Sequence, residues 1–317
     1  MSIPKIIKRS ISMNDKQIKL TQNLQVKYSK FINKHTFSLK KTSVKFVKDI
    51  TNGIIKSQSC IVRQIAQNLS ENISLKKTQE RLTYQLDNDK ELEKLRKNIL
   101  IHNSRKLNKK SLIIIDPSDI TKPNAIKMEG LSKVRDGNNG KYKPGYEVID
   151  IVGVNQSGSQ TSIFPIFSDI HSEKIGLDTL KNKIFDRILD IIIYSNNSGV
   201  FVMDRGFDDK RVIQELCSHD ASFIIRMKRN RNIFYKDSLM NIAKVGDKIE
   251  KKHIFEVCKK TTIKAGMGEI GIPLSRHTVK NPEQAKVHPV SAEISTKPQM
   301  EGFPKEIFTS ISLPIQI

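Results

Sequence analysis

The chain has few cysteines, no long apolar run and few acidic residues, and each scarcity excludes a class of protein. Its three cysteines are far apart and form no Cys-x-x-Cys pair, which argues against a structural zinc site or a disulfide framework. No stretch of eighteen apolar residues occurs, and the first residues lack the apolar core of a signal peptide. We therefore expect no membrane span and no export, and a reducing cytoplasm as the compartment.

Acidic residues are scarcest in the first third of the chain. Residues 1–110 hold 25 Lys and Arg against 8 Asp and Glu, a balance of +17, whereas the other 207 residues hold 30 against 25, or +5. A basic segment of this size attracts a polyanion by releasing its condensed counterions, so nucleic acid is the expected partner. A lysine-rich coding bias is the alternative, but it does not explain why the rest of the chain is nearly balanced.

Residues 15–110 contain few Gly or Pro residues, and their apolar residues recur at helical spacing, as in 61–69 and 75–86. Two short helices joined by a Ser/Asn turn resemble a helix-turn-helix, whose second helix contacts DNA. The outward face of that second helix is expected to carry Lys76, Lys77, Arg81 and Gln85.

From residue 111 onward, the period changes to that of strands, with amphipathic helices between the later ones. The predicted strands are 111–116, 146–154, 161–167, 200–204 and 222–227, and the predicted helices are 177–194 and about 208–219. The order β-β-β-α-β-α-β predicts an α/β domain with a ribonuclease-H-like mixed sheet and flanking helices. Strands 111–116 and 200–204 are its expected parallel neighbours.

Each of these two neighbouring strands ends on a carboxylate, Asp116 or Asp204. Two carboxylates at one edge of a sheet could share a divalent cation, the geometry of metal-assisted phosphodiester chemistry. For either residue alone, Asp as a turn former is an equally good interpretation. A phosphatase with an aspartyl nucleophile is disfavoured, because its Asp-x-Asp pattern is absent: two residues separate Asp116 from Asp119.

Longer motifs around these two residues make a family resemblance recognisable. The chain resembles bacterial insertion-sequence transposases of the DDE type, in the group with a Tyr-Arg-Glu-Lys signature. The resemblance rests on Asp-Pro-Ser-Asp-Ile-Thr-Lys (116–122), Glu129-Gly130-Leu131, the Asp136-Gly137 loop before Gly145-Tyr146, Met-Asp-Arg-Gly-Phe (203–207) and the basic helical start.

The resemblance implies a function and a set of site residues. Asp116 and Asp204 would be the first two catalytic acids and metal ligands, with two Mg²⁺ or Mn²⁺ ions in a complete site, and Arg205 could contact DNA phosphate or pair with a neighbouring acid. The expected reaction is metal-dependent cleavage and strand transfer. The expected partner is double-stranded DNA, both the ends of the element and the target. A homodimer is expected to bind this DNA in the bacterial cytoplasm, at the nucleoid, and no interaction with a membrane is expected.

The chain departs from this family in its last part. The family's third acid is a Glu on a helix, reached through Tyr-x-x-Arg, but no tyrosine follows Tyr235, and 6 of the 11 prolines fall within 273–317. We interpret this copy as incomplete, through truncation or a frameshift, the alternative being a variant with a divergent end. A non-catalytic DNA-binding remnant is the second functional hypothesis. A nuclease unrelated to transposition would leave the basic start unexplained.

These features predict four segments: a helical basic DNA-binding domain (1–110), a ribonuclease-H-like catalytic core (111–229), the start of a β-rich insertion (230–272) and an irregular proline-rich tail (273–317).

Overall fold

The fold is described from a computed structural model, in which the chain divides into two compact units, Met1–Ile99 and Leu100–Ile317. The described residues are 15–137, 140–175, 179–236, 238–248, 253–257, 261–273, 287–296 and 307–311. Within these ranges, no helix combines the length and apolar character needed to cross a bilayer.

The first unit is helical, as the scarcity of Gly and Pro predicts. Its helices are α1 (Asp15–Thr36), α2 (Lys41–Ser57), α3 (Val62–Leu69), α4 (Leu75–Leu86) and α5 (Asp89–Ser104), the last of which continues into the second unit. Its buried core consists of Ile32, Phe46, Val47, Ile65, Ala66 and Leu82. The side chain of Ser74 caps α4 by accepting a hydrogen bond from the backbone of Lys77.

Helices α2 and α3 approach each other closely at Gly53. A Cβ atom built at this glycine would lie 2.3 Å from Cγ2 of Ile65, so any larger residue would push the two helices apart. The glycine therefore sets the spacing on which the α2–α3–α4 core depends.

The second unit is built on a mixed sheet. Its first six strands are β1 (Leu112–Thr121), β2 (Ser132–Arg135), β3 (Tyr142–Ser157), β4 (Gln160–His171), β5 (Val200–Met203) and β6 (Ser222–Ile225). The spatial order β4-β3-β1-β5-β6 has β1, β5 and β6 parallel, and β3 antiparallel to its neighbours β1 and β4. This is the ribonuclease-H-like order, and the predicted fold class is confirmed.

Strand β1 is longer than predicted. It continues five residues past Asp116, because β3 pairs with it along its whole length, from Leu112 opposite Val154 to Thr121 opposite Gly145. The expectation that Asp116 ends its strand is therefore wrong. Only the second acid, Asp204, directly follows the end of a strand, β5.

One face of this sheet is covered by α6 (Leu180–Ser195) and α7 (Lys210–Ser218), which connect β4 to β5 and β5 to β6. Their apolar residues and those of the strands form one buried cluster, which includes Ile113, Ile115, Phe201, Met203, Ile188 and Leu216. On the opposite face, Leu112 and Ile114 each remain 37% exposed. The sheet thus presents a half-exposed face, and both candidate acids belong to it.

Beyond β6 the sheet is extended by further strands. These elements are β7 (Asn232–Tyr235), β8 (Ser238–Asn241), α8 (Ile242–Lys248), β9 (His253–Val257), β10 (Thr261–Pro273), β11 (Val287–Thr296) and β12 (Ile307–Ile311). The last two lie where the prolines predict an irregular tail. Val290, Ala292 and Ile294 alternate with polar residues at the strand period, and β11 pairs with a strand on each side.

Candidate metal and nucleic-acid site

The register of the parallel strands brings the two predicted acids together. Strand β1 pairs with β5 up to Ile115 opposite Met203, and the next residues on the two strands are Asp116 and Asp204. Because neighbouring strands lie about 5 Å apart, the two Cα atoms are separated by roughly that distance. Two Asp side chains at this separation can reach a common cation.

Both acids stand on the half-exposed face of the sheet. Asp116 follows Leu112 and Ile114 at the two-residue period of a strand, and Asp204 follows Val202 in the same way. Both Asp116 and Asp204 are exposed. Ile115 and Met203, which directly precede the two acids, are buried and point into the core on the other side. The carboxylates are therefore open to a metal ion and to a large substrate.

The turn after β5 orients Asp204. Its Oδ1 accepts a hydrogen bond of 2.8 Å from the backbone N–H of Gly206. Among the described residues, Oδ2 of Asp204 has no such partner. A Cβ atom at position 206 would lie 2.9 Å from Oδ1 of Asp204. The close approach of this carboxylate to the backbone therefore explains why residue 206 is a glycine. One oxygen of Asp204 thus holds the turn, and the other is available to a ligand.

A third carboxylate, which was not predicted from the sequence, lies on the same face. Asp150 of β3 is directly opposite Asp116 in the antiparallel ladder, and its Oδ1 accepts a hydrogen bond of 2.6 Å from the hydroxyl of Ser168 on β4. A single Asp within the apolar run 146–154 was the available signal. Across the described residues, no three His, Cys, Asp or Glu side chains are grouped so that they could hold a metal ion.

The two acids nevertheless fit the demands of a hard divalent cation. Mg²⁺ is commonly bound through one or two carboxylates, with water and substrate phosphate completing its octahedron. Asp116 and the open oxygen of Asp204 supply such a pair. A second ion would need a ligand that the described residues do not bring to this place.

The predicted DNA-binding side chains of α4 differ in their surroundings. Lys76 is 87% exposed and lies 3.9 Å from Glu80, and Lys77 is also exposed. Arg81 was expected to point outward, but its guanidinium lies 2.8 Å from both Asp49 and Glu71. Lys76 and Lys77 are thus available to DNA, whereas Arg81 is engaged within the unit.

Gln85 also faces α2 rather than solvent, because the hydroxyl of Ser43 donates a 3.2 Å hydrogen bond to it. Arg81 and Gln85 occupy the side of α4 that packs, one helical turn apart. The exposed side of α4 carries the two lysines and Tyr84, which is 73% exposed.

The ion pairs around Arg81 strongly lower the pKa of Glu71. Hydrogen bonds from Lys45 and Arg81 lower the pKa of Glu71 to about 2, against the opposing effect of its burial. Lys45 also lies 2.5 Å from Asp49. Lys45, Asp49, Glu71 and Arg81 form what we call the α2–α4 ion network, which joins both helices to the segment between α3 and α4. Its role is structural.

Arg205, the last predicted DNA-binding residue, directly follows Asp204 and is exposed. Its backbone carbonyl accepts a hydrogen bond from the N–H of Asp208, which closes the turn. Among the described residues, its guanidinium forms no ion pair. It is available to an anion beside the acid pair.

Comparison with known families identifies the domain that carries this site. Residues 107–305 match the model of the transposase DDE domain, which is more than half of the chain. The chain belongs to the DDE transposase family. The resemblance to DDE-type transposases found in the motifs is thereby confirmed. Transposases of this family use divalent metal ions, in keeping with the acid pair, and act on DNA. No curated protein sequence matches the chain.

Proposed function

We propose that this transposase binds the ends of its element and performs metal-dependent DNA cleavage and strand transfer at Asp116 and Asp204. The observation that supports this most strongly is the register of β1 and β5, which places the two acids side by side within a DDE domain. No other pair of carboxylates in the described residues combines adjacent parallel strands with an open sheet face.

In this proposal, Asp116 and Asp204 hold a Mg²⁺ or Mn²⁺ ion. The bound ion would activate the attacking oxygen and stabilise the charge on the leaving oxygen of a phosphodiester. Asp204 is pre-oriented by Gly206, so that its free oxygen need not rotate into place. A complete two-ion site would need a further carboxylate, which the family pattern assigns to a Glu that this sequence does not present in a Tyr-x-x-Arg setting.

The first unit would supply the DNA affinity. Its helices α3 and α4 are joined by a short turn, and α4 exposes Lys76, Lys77 and Tyr84 on one side. Lysines at the start of a recognition helix suit contacts to the DNA backbone. Binding as a homodimer and a location in the bacterial cytoplasm remain predictions.

Cleavage is tested by following nicking of terminal-repeat DNA in Mn²⁺. The proposal expects nicking that Asp116→Asn and Asp204→Asn each abolish, while Asp186→Asn, an exposed acid of α6 on the other side of the sheet, leaves it unchanged. Nicking that survives either substitution would contradict the assignment.

A second function, a non-catalytic DNA-binding remnant, is favoured by the missing Tyr-x-x-Arg-Glu pattern. It expects DNA binding by the full chain with no nicking at any metal concentration. In both cases, replacing Lys76 and Lys77 by Ala should weaken binding and reduce its salt dependence. Unchanged binding in this variant would contradict the assignment of the two lysines to the DNA interface.

A further inference from the structure

A strongly basic loop follows β6 at the level of the acid pair. Four of the six residues in 226–231 are Lys or Arg. Strand β6 pairs with β5 up to Ile225 opposite Met203, and the N–H of Arg226 lies 3.4 Å from the carbonyl of Met203. The loop therefore begins beside Asp204, on the strand next to the one that carries it.

The main chain of this loop is fastened by Asp208, a residue of the turn that contains Asp204. The Asp208 side chain is fully buried, and its Oδ1 lies 2.5 Å from Nε of Arg231. Its other oxygen accepts a hydrogen bond of 2.6 Å from the N–H of Lys228. A buried charge is tolerated only where partners compensate its lost hydration, so these contacts tie the loop to the turn.

Further hydrogen bonds complete the attachment. Arg231 also donates to the backbone carbonyl of Asp208 at 3.0 Å, and the side chain of Asn241 donates to the carbonyl of Arg229 at 3.0 Å. The N–H of Arg231 bonds to the carbonyl of Lys228. The loop is thus anchored from both sides, unlike a basic segment that is merely solvated.

This anchoring leaves two long basic side chains directed outward. Lys228 and Arg229 are exposed, and neither forms an ion pair within the part of the chain that the structure describes. Since Lys228 is two residues from Arg226, its Cα lies within roughly 12 Å of that of Asp204. If one phosphate of the DNA is bound at the acid pair, the side chain of Lys228 can reach the neighbouring phosphate.

We propose that loop 226–231 binds the DNA backbone beside the scissile phosphate, through Lys228 and Arg229, with Asp208 as the positioning residue. This inference rests on the proposed function, because it takes DNA to be the substrate of the acid pair. The complementary charges favour a polyanion, and the fixed backbone reduces the entropy lost when the two side chains contact phosphates.

The test is the salt dependence of binding of the full chain to a short DNA duplex. For two lost phosphate contacts, the slope of log K against log salt should fall by about 1.8 in the Lys228→Ala/Arg229→Ala variant. Lys181→Ala/Lys183→Ala is the matched control, because both lysines belong to α6, which covers the other face of the sheet, and each is paired with an acid, Asp209 or Asp169. Its slope should not change. An equal slope in the Lys228→Ala/Arg229→Ala variant and the wild type would overturn the proposal.

The positioning role is tested separately with Asp208→Asn, which keeps both basic side chains. The slope should fall part of the way towards that of the Lys228→Ala/Arg229→Ala variant, with unchanged circular dichroism. If this variant fails to fold, Asn241→Ala, which removes the hydrogen bond to Arg229, should have the same effect. An unchanged slope in a folded variant would refute the role of the anchor.

Mn²⁺ binding separates this inference from the proposed function. Lys228→Ala/Arg229→Ala should bind Mn²⁺ as the wild type does, because neither residue is a metal ligand. A reduced salt slope in a protein that binds no Mn²⁺ would reject the metal site and retain the loop. Normal Mn²⁺ binding with an unchanged slope would reject the loop alone.

Discussion

The substitution Glu71→Gln should loosen the helical unit without affecting the catalytic domain. Glu71 accepts hydrogen bonds from Lys45 and Arg81, and its pKa is lowered from 4.5 to about 2. A shift of this size corresponds to about 3.4 kcal/mol. Glu71 is 20% exposed and Lys45 is 54% exposed, so solvent screening reduces the expected loss to about 1–2 kcal/mol.

The pH dependence of this loss has a definite sign. A carboxyl group whose pKa is lower in the folded state stabilises the fold fully above its unfolded pKa, and the effect disappears as pH falls through the folded value. The difference between wild type and Glu71→Gln should therefore be complete at pH 7. It should shrink below about pH 4.5 and vanish near pH 2.

Amide hydrogen exchange in the full chain is the appropriate assay, since it reports on each helix separately. Exchange should accelerate by about 5- to 30-fold in α2 and α4 at pH 7, while α6 serves as an internal reference. Glu93→Gln is the matched control, because Glu93 is 61% exposed and pairs only with Arg96 of its own helix among the described residues. Equal acceleration in α6, or none in α2 and α4, would refute the structural role of the network.

Two further substitutions examine the acid pair's surroundings by Mn²⁺ titration. Gly206→Ala should weaken Mn²⁺ binding about fivefold, because the new Cβ displaces a hydrogen bond worth about 1 kcal/mol. The control Gly137→Ala, whose Cβ meets nothing closer than 3.6 Å, should leave the Mn²⁺ affinity unchanged. Equal affinities in the two variants would contradict the role of the turn after β5. Asp150→Asn should weaken binding by a similar factor, through loss of a nearby negative charge worth about 1 kcal/mol, while Asp169→Asn on the other face of β4 should leave affinity unchanged.

The sequence was sufficient for the elements whose periodicity is unbroken. Strands β5 and β6 and helices α6 and α7 lie close to their predicted positions, because each combines a clear apolar period with a polar boundary. The adjacency of Asp116 and Asp204 followed from the right-handed crossovers between parallel strands. Local pattern and chain topology were enough to place this pair.

Features that depend on tertiary partners could not be read from the chain. The length of β1 is set by pairing with β3 rather than by the turn-forming residues after Asp116. The inward orientation of Arg81 depends on Asp49 and Glu71, which lie on other segments. The burial of Asp208 depends on Arg231, more than twenty residues later.

Asp150 shows a different limit. A lone Asp in an apolar strand is visible in the sequence, but its position opposite Asp116 depends on the register between β1 and β3. A shift of one residue would move it to the other face. Its closeness to the acid pair therefore became evident only from the ladder.

The most direct test of the central claim is Mn²⁺ binding measured by electron paramagnetic resonance on the full chain. If Asp116 and Asp204 share one ion, the wild type and Asp186→Asn should bind Mn²⁺ equally. Asp116→Asn and Asp204→Asn should each lose most of that binding, and the double substitution should lose little more, because the two ligands serve one site. Undiminished binding in both single variants, or independent and additive losses, would contradict the shared site.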